Sequence, residues 1–177
     1  MRHGSTTGAY AQHPEPATLQ IQRVLPGPIE RVWAYLTESG LRQKWLAAGE
    51  MELRAGAPFE LVWRNDELTN PPGQRPAEAS AEHSLECAVT EVDPPRRLVI
   101  GWGANGEVSF TLEQQGNDVL LTLVHRRARD RDMLLKVTAG WHAHLDVLTA
   151  QLTGEAPEPF WDHWRRLTAE YEPRIPA

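Results

Sequence analysis

Apolar and polar residues alternate through most of this chain, and the spacing changes to threes and fours near both ends of that region. Leu19, Ile21 and Leu25 share one phase of residues 18–25, which predicts a strand with one buried face. Arg23 falls in the same inward phase. The Pro26-Gly27-Pro28 cluster stops the strand and places Pro28 as the first helical residue, where its missing N–H costs nothing. Glu30 in the first turn suits the helix dipole. Ile29, Val32, Trp33 and Leu36 then put one apolar face on a helix ending near residues 37–40. A shorter helix over 41–46 carries Trp45.

Strands follow. Residues 50–53 predict a weak one, and residues 58–64 a stronger one with Phe59, Leu61 and Trp63 on one face. Leu85, Cys87 and Val89 alternate, as do Leu98, Ile100 and Trp102, then Val108, Phe110 and Leu112, then Leu121, Leu123 and His125. The short turns at 93–95, 103–106 and 116–118 favour antiparallel neighbours. Residues 65–82 are polar and broken by Pro71, Pro72, Gly73 and Pro76, which predicts an irregular, mobile segment.

Asp130 is a candidate cap for a long helix to about residue 152, with Leu134, Val137, Trp141, Leu145, Leu148 and Leu152 on one face. Such a helix is about 30 Å long and crosses a whole sheet. Gly154 and Pro157 end it, and Pro159 opens a last helix with Phe160, Trp164, Leu167 and Tyr171 on a stripe. Too apolar to remain in water, that helix is expected to dock on its own chain or on a second copy, so a homodimer is among the expected partners. The order of elements predicts an α+β fold, an antiparallel sheet with helices on one side.

Composition narrows the function classes. The chain has 177 residues, 41% of them apolar, which fits one domain with a core. A net charge of −6 argues against a general nucleic-acid binder. One cysteine, Cys87, excludes a disulfide-stapled scaffold and a Cys-rich zinc module; mid-strand in an apolar phase, it is an inert core thiol. Residues 1–18 carry no apolar stretch of signal-peptide length and no segment approaches membrane-spanning length, so a cytoplasmic protein with no membrane partner is expected. His3 and His13 are expected to be solvated.

The layout resembles the START-like or SRPBCC superfamily with its helix-grip fold, and more closely the family named after the activator of heat-shock-protein ATPase. The residues that carry this are Pro28-Ile-Glu-Arg-Val-Trp33, Leu41 to Trp45, Glu91-Val-Asp-Pro-Pro-Arg-Arg-Leu98 ahead of Trp102, and Gly140-Trp-His-Ala-His-Leu145. The resemblance implies a curved sheet wrapped around the long helix over residues 18–153, leaving 1–17 as a flexible arm and 154–177 as a helical extension. Members are similar to lipid carriers, aromatase/cyclases, self-sacrificing resistance proteins and co-chaperone domains. The fold normally keeps a cavity between sheet and helix, with residues 65–82 near its entrance.

Phase places Trp45, Phe59, Trp63, Trp102, Phe110 and Trp141 around that space, with His125 as its principal polar group. The expected function is binding of a small hydrophobic or aromatic molecule there. A cyclase- or hydratase-like enzyme in the same cavity, and a chaperone-associated interaction module, are the alternatives. No catalytic residue, metal ligand or cofactor is assigned. His142 and Asp146, four apart, share a helix face, whereas His144 faces elsewhere, so a metal would need His125 or another strand residue. The expected role of the pair is a local hydrogen bond, with at least one of the two histidines at the surface. A buried Arg23 requires a carboxylate, which Glu50, Glu52 or Glu60 could supply.

Overall fold

A computed structural model describes residues 9–103 and 106–176. Six antiparallel strands form one sheet: β1 (Leu19–Pro26), β2 (Pro58–Trp63), β3 (His83–Asp93), β4 (Arg97–Trp102), β5 (Gly106–Gln115) and β6 (Asp118–Arg126). Their spatial order is β1-β6-β5-β4-β3-β2, so the first two strands in sequence stand at opposite edges. Between them the chain forms α1 (Ile29–Thr37) and the single turn α2 (Ser39–Arg42). α3 (Arg131–Thr153) packs on the concave side and α4 (Phe160–Tyr171) packs on α3. This is the helix-grip arrangement.

The ends of α3 form as the sequence requires. The Asp130 side chain accepts from the Met133 N–H at 2.8 Å, and Gly154 closes the helix at φ 79°, a left-handed conformation that glycine adopts without a Cβ penalty. Leu134, Trp141, Leu145, Leu148 and Leu152 are all buried, as is the inward phase Leu19, Ile21, Arg23 and Leu25 of β1.

Several expectations are corrected. Residues 50–53 form no strand; they are irregular, and Ala48 makes an isolated bridge to Val62 instead. The second helix is one turn over 39–42 rather than 41–46. Of the expected flexible arm, residues 1–8 lie outside the described residues, while residues 9–17 lie against α3 and α4. There the Ala11 N–H donates to Tyr171 Oη at 2.6 Å, Tyr10 pairs with Glu170, and the Arg174 guanidinium sits 3.9 Å over the Tyr10 ring. His13 is half-buried with Thr138 Oγ1 at 3.3 Å from its Nε2, not solvated; His3 lies outside the described residues.

α4 docks on its own chain and buries Phe160, Trp161, Leu167 and Tyr171. Residues 65–82 are irregular apart from one 3-10 turn (Asn65–Glu67), and they are tied to α4. Thr69 Oγ1 accepts from the Phe160 N–H, the Pro72 carbonyl accepts from the Trp161 N–H at 2.9 Å, and Asp66 Oδ1 accepts from the Trp161 indole at 2.7 Å. Gly73 is needed at this contact: at φ +80° a Cβ would stand 2.9 Å from the Asp162 backbone nitrogen.

Candidate functional site

Two clusters converge on α3 from different sides. The first is aromatic. Register places Phe59 opposite Cys87, and Cys87 opposite Trp102. Val108 pairs with His125, and Phe110 with Leu123. α3 adds Trp141 above these strands. The ring centroids of Trp63 and Trp102 are 5.5 Å apart, those of Trp102 and Trp141 5.2 Å, those of Trp102 and His125 5.8 Å, and those of Phe110 and Trp141 5.8 Å. These are the tilted and edge-to-face separations that aromatic pairs prefer. Trp63 also meets the exposed His83 ring at 5.5 Å, so a file of rings runs from the buried Trp141 to the surface.

His125 is the polar member of the file, and it is 2% exposed. Its Nδ1 accepts from the Trp141 indole at 2.9 Å. That bond fixes the neutral tautomer with its proton on Nε2. Burial lowers the imidazole pKa to about 4, because the charged form would lose its hydration. Gly106 passes closely over the ring: a Cβ there would stand 3.3 Å from Nε2 and 3.0 Å from the Trp102 carbonyl oxygen.

The structure thus brings five of the seven expected site residues into one stack: Trp63, Trp102, Phe110, His125 and Trp141. It holds Trp45 and Phe59 apart from that stack. Trp45 is fully buried, donates its indole N–H to the Tyr35 carbonyl at 2.8 Å, and accepts through its own carbonyl from His144 Nδ1, 2.9 Å away. Phe59 is separated from Trp102 by the intervening Cys87 of β3. The rings touch one another, so the expected open space within the stack is not found; cavities of about 210 and 180 Å³ lie elsewhere.

The second cluster is ionic and centres on Asp146. Its Oδ1 accepts from Arg23 Nη2 at 3.1 Å and Nε at 3.3 Å, which replaces the expected Glu50, Glu52 or Glu60 partner. The reason is topological: α3 packs across β1, so the carboxylate facing the fully buried Arg23 comes from the helix. Asp146 Oδ2 lies 3.3 Å from His142 Nε2 and 2.7 Å from His163 Nε2. Burial alone would raise the Asp146 carboxyl pKa, but the hydrogen bonds from His142 and His163 and the Arg23 charge outweigh it and hold the group well below the usual carboxylate range. His142 is pulled the other way, its pKa lowered by burial against the opposing effect of Asp146.

The outer ring nitrogens are also engaged. His142 Nδ1 is 2.8 Å from Tyr171 Oη, and His163 Nδ1 is 2.6 Å from Glu158 Oε2 and 2.6 Å from Arg166 Nη2. The cavity of about 210 Å³ opens beside this cluster, between α3 and α4, with Ala143, Asp146, Val147, Glu158, Phe160 and His163 in its wall. His142 and His144 are both buried, so the expected surface histidine is not found.

The partner that sequence spacing did not supply is His163. One signal pointed to it: Phe160, His163, Leu167 and Tyr171 repeat at three, four and four, so a histidine occupies the buried stripe of α4.

The fold defines the class, a START-like protein of the SRPBCC superfamily. The chain belongs to the family of Activator of Hsp90 ATPase homolog 1-like proteins, whose pattern matches residues 26–153. It is similar along nearly its whole length to the protein encoded by gene BPP1335 of Bordetella parapertussis, at 35% identity and TM-score 0.81, covering 98% of this chain and 94% of that one. CalU16 from Micromonospora echinospora is 20% identical with TM-score 0.66, covering 95% and 96% of the two chains. DynU16, of the dynemicin biosynthetic locus, is 18% identical with TM-score 0.64, covering 82% of this chain and 51% of that one. No curated protein matches the chain. Among the described residues no helix is long and apolar enough to cross a membrane.

Proposed function

We propose that the protein binds a small, largely apolar or aromatic molecule between its sheet and α3, at the file formed by Trp63, Trp102, Phe110, His125 and Trp141. The observation that carries this reading is the aromatic file itself, with one buried, neutral imidazole, His125, set against Trp102 and Trp141 and carrying its proton on Nε2. Trp102 is only half-buried and Gly103 beside it is exposed. A ligand enters by displacing the Trp102 ring, stacks on Trp63 and Trp141, and accepts a hydrogen bond from Nε2. Trp45 and Phe59 contribute to the surrounding wall and not to the stack. Family membership supports a ligand-binding fold.

The test is a library of small aromatic compounds read by tryptophan emission and melting temperature. A ligand of this site shifts both, the latter through linkage. His125→Ala should weaken ligands with a hydrogen-bond acceptor by about 0.5–1.5 kcal/mol and leave purely apolar ones nearly unchanged. A library without any compound that shifts either signal overturns the reading.

A further inference from the structure

The Asp146 cluster has the composition of a metal centre. His142 Nε2, Asp146 Oδ2 and His163 Nε2 all lie within 4.8 Å of one another. Around a tetrahedral ion with bonds near 2.0–2.1 Å, ligand atoms stand roughly 3.3 Å apart. The His142–Asp146 separation is 3.3 Å, and the His163–Asp146 contact of 2.7 Å opens by roughly 0.6 Å to reach that value. We propose that His142, Asp146 and His163 bind one divalent first-row metal ion, zinc foremost, between α3 and α4, with a water at a fourth position facing the adjoining cavity.

Independent support comes from the outer contacts. Metal-binding histidines usually give their second ring nitrogen to an oxygen acceptor, which fixes the tautomer and ring orientation. The outer nitrogens stand within reach of such oxygens, His142 Nδ1 2.8 Å from Tyr171 Oη and His163 Nδ1 2.6 Å from Glu158 Oε2. The second carboxylate oxygen of Asp146 is held by Arg23.

With an ion bound, the Nε2 lone pairs face the metal and each ring proton sits on Nδ1, within reach of Tyr171 Oη and Glu158 Oε2, while Arg166 Nη2 turns from His163 Nδ1 to Glu158. Two imidazole nitrogens with one carboxylate suit zinc, cobalt, nickel or ferrous iron over magnesium or calcium. Asp146 and His163 line the cavity, so the fourth position is reachable from solvent, as in sites with three protein ligands and an open place. This site lies on the α4 side of α3 and does not depend on the aromatic file.

The experiment uses the full chain, treated with a chelator and then titrated with Zn²⁺ or Co²⁺. Expected are one ion per chain by native mass spectrometry, a higher melting temperature, and a cobalt visible spectrum with nitrogen and oxygen ligation. Mg²⁺ should give none of these. His163→Gln, which retains a side-chain donor toward Asp146, should lower zinc affinity at least tenfold, while His125→Asn should leave it unchanged. X-ray absorption on the zinc-loaded native chain should show two imidazoles, a readout that does not depend on any variant folding. Failure of the native chain to take up zinc, or uptake undiminished in a folded His163→Gln, overturns the proposal and leaves the cluster a hydrogen-bonded hub.

Discussion

Trp141 and His142 are adjacent in sequence, yet α3 delivers them to two unlike surroundings. Trp141 turns toward the sheet and gives its N–H to His125, a histidine whose charged form is opposed by burial alone. His142 turns toward α4 and β1, where Asp146 offsets part of the same burial cost. Both histidines are 2% exposed, so depth does not separate them. A carboxylate within hydrogen-bonding reach does. A buried histidine without one stays neutral and serves as a fixed donor and acceptor. A buried histidine beside one can share a proton or a cation.

The largest effects should come from breaking either side outright. Asp146→Ala removes the carboxylate facing the buried Arg23 and should cost about 3–5 kcal/mol in chemical denaturation near neutral pH. Trp141→Ala should cost a similar amount, about 3–5 kcal/mol, through a cavity between sheet and helix. A loss under 1 kcal/mol in either variant would remove that side of the comparison.

The next effect is on the acid limb of stability. The folded-state pKa of His125 is depressed from 6.5 to about 4, so between those values the unfolded chain binds more protons than the folded one. Stability therefore rises with pH through this window and falls on acidification, by on the order of 3 kcal/mol once below both values. His144, also lowered to about 4 by burial, adds in the same direction. Asp146 acts lower still: its depressed pKa gives stability that is present above the ordinary carboxylate range and is lost as pH falls through the folded value. His125→Asn keeps an acceptor for Trp141 and should flatten the slope between pH 6.5 and 4; an unchanged slope would show that His125 does not titrate there.

The smallest effect sharpens the contrast. Trp141→Phe removes the donor to His125, and Tyr171→Phe removes the hydroxyl that joins Ala11 and His142. Each should cost about 1 kcal/mol. If the two sides of α3 are independent, the double variant should be additive within about 0.5 kcal/mol. A larger coupling would mean that the clusters act as one unit.

The long helix, its Asp130 cap and the alternating strands were legible because period and capping are local properties, written within a few residues of one another. The inward phase of Arg23 and the placement of His125 among aromatic rings followed from the same two-residue alternation. The separation of Trp45 and Phe59 from the stack was not legible, since it depends on which strand lies between which in a finished sheet. Residues 50–53 misled for a related reason: alternation without a neighbouring strand to receive it yields no ladder.

What the sequence determined alone is therefore the long helices and the paired strands, their antiparallel order and the strand residues that turn inward. Only the tertiary structure decided which inward groups meet. Arg23, His142, Asp146, Glu158, His163 and Tyr171 come from β1, α3, the α3–α4 connection and α4. Their contacts exist because α3 crosses β1 and α4 folds back on α3, so that Arg23 and His163, distant in the chain, reach the His142–Asp146 pair of α3.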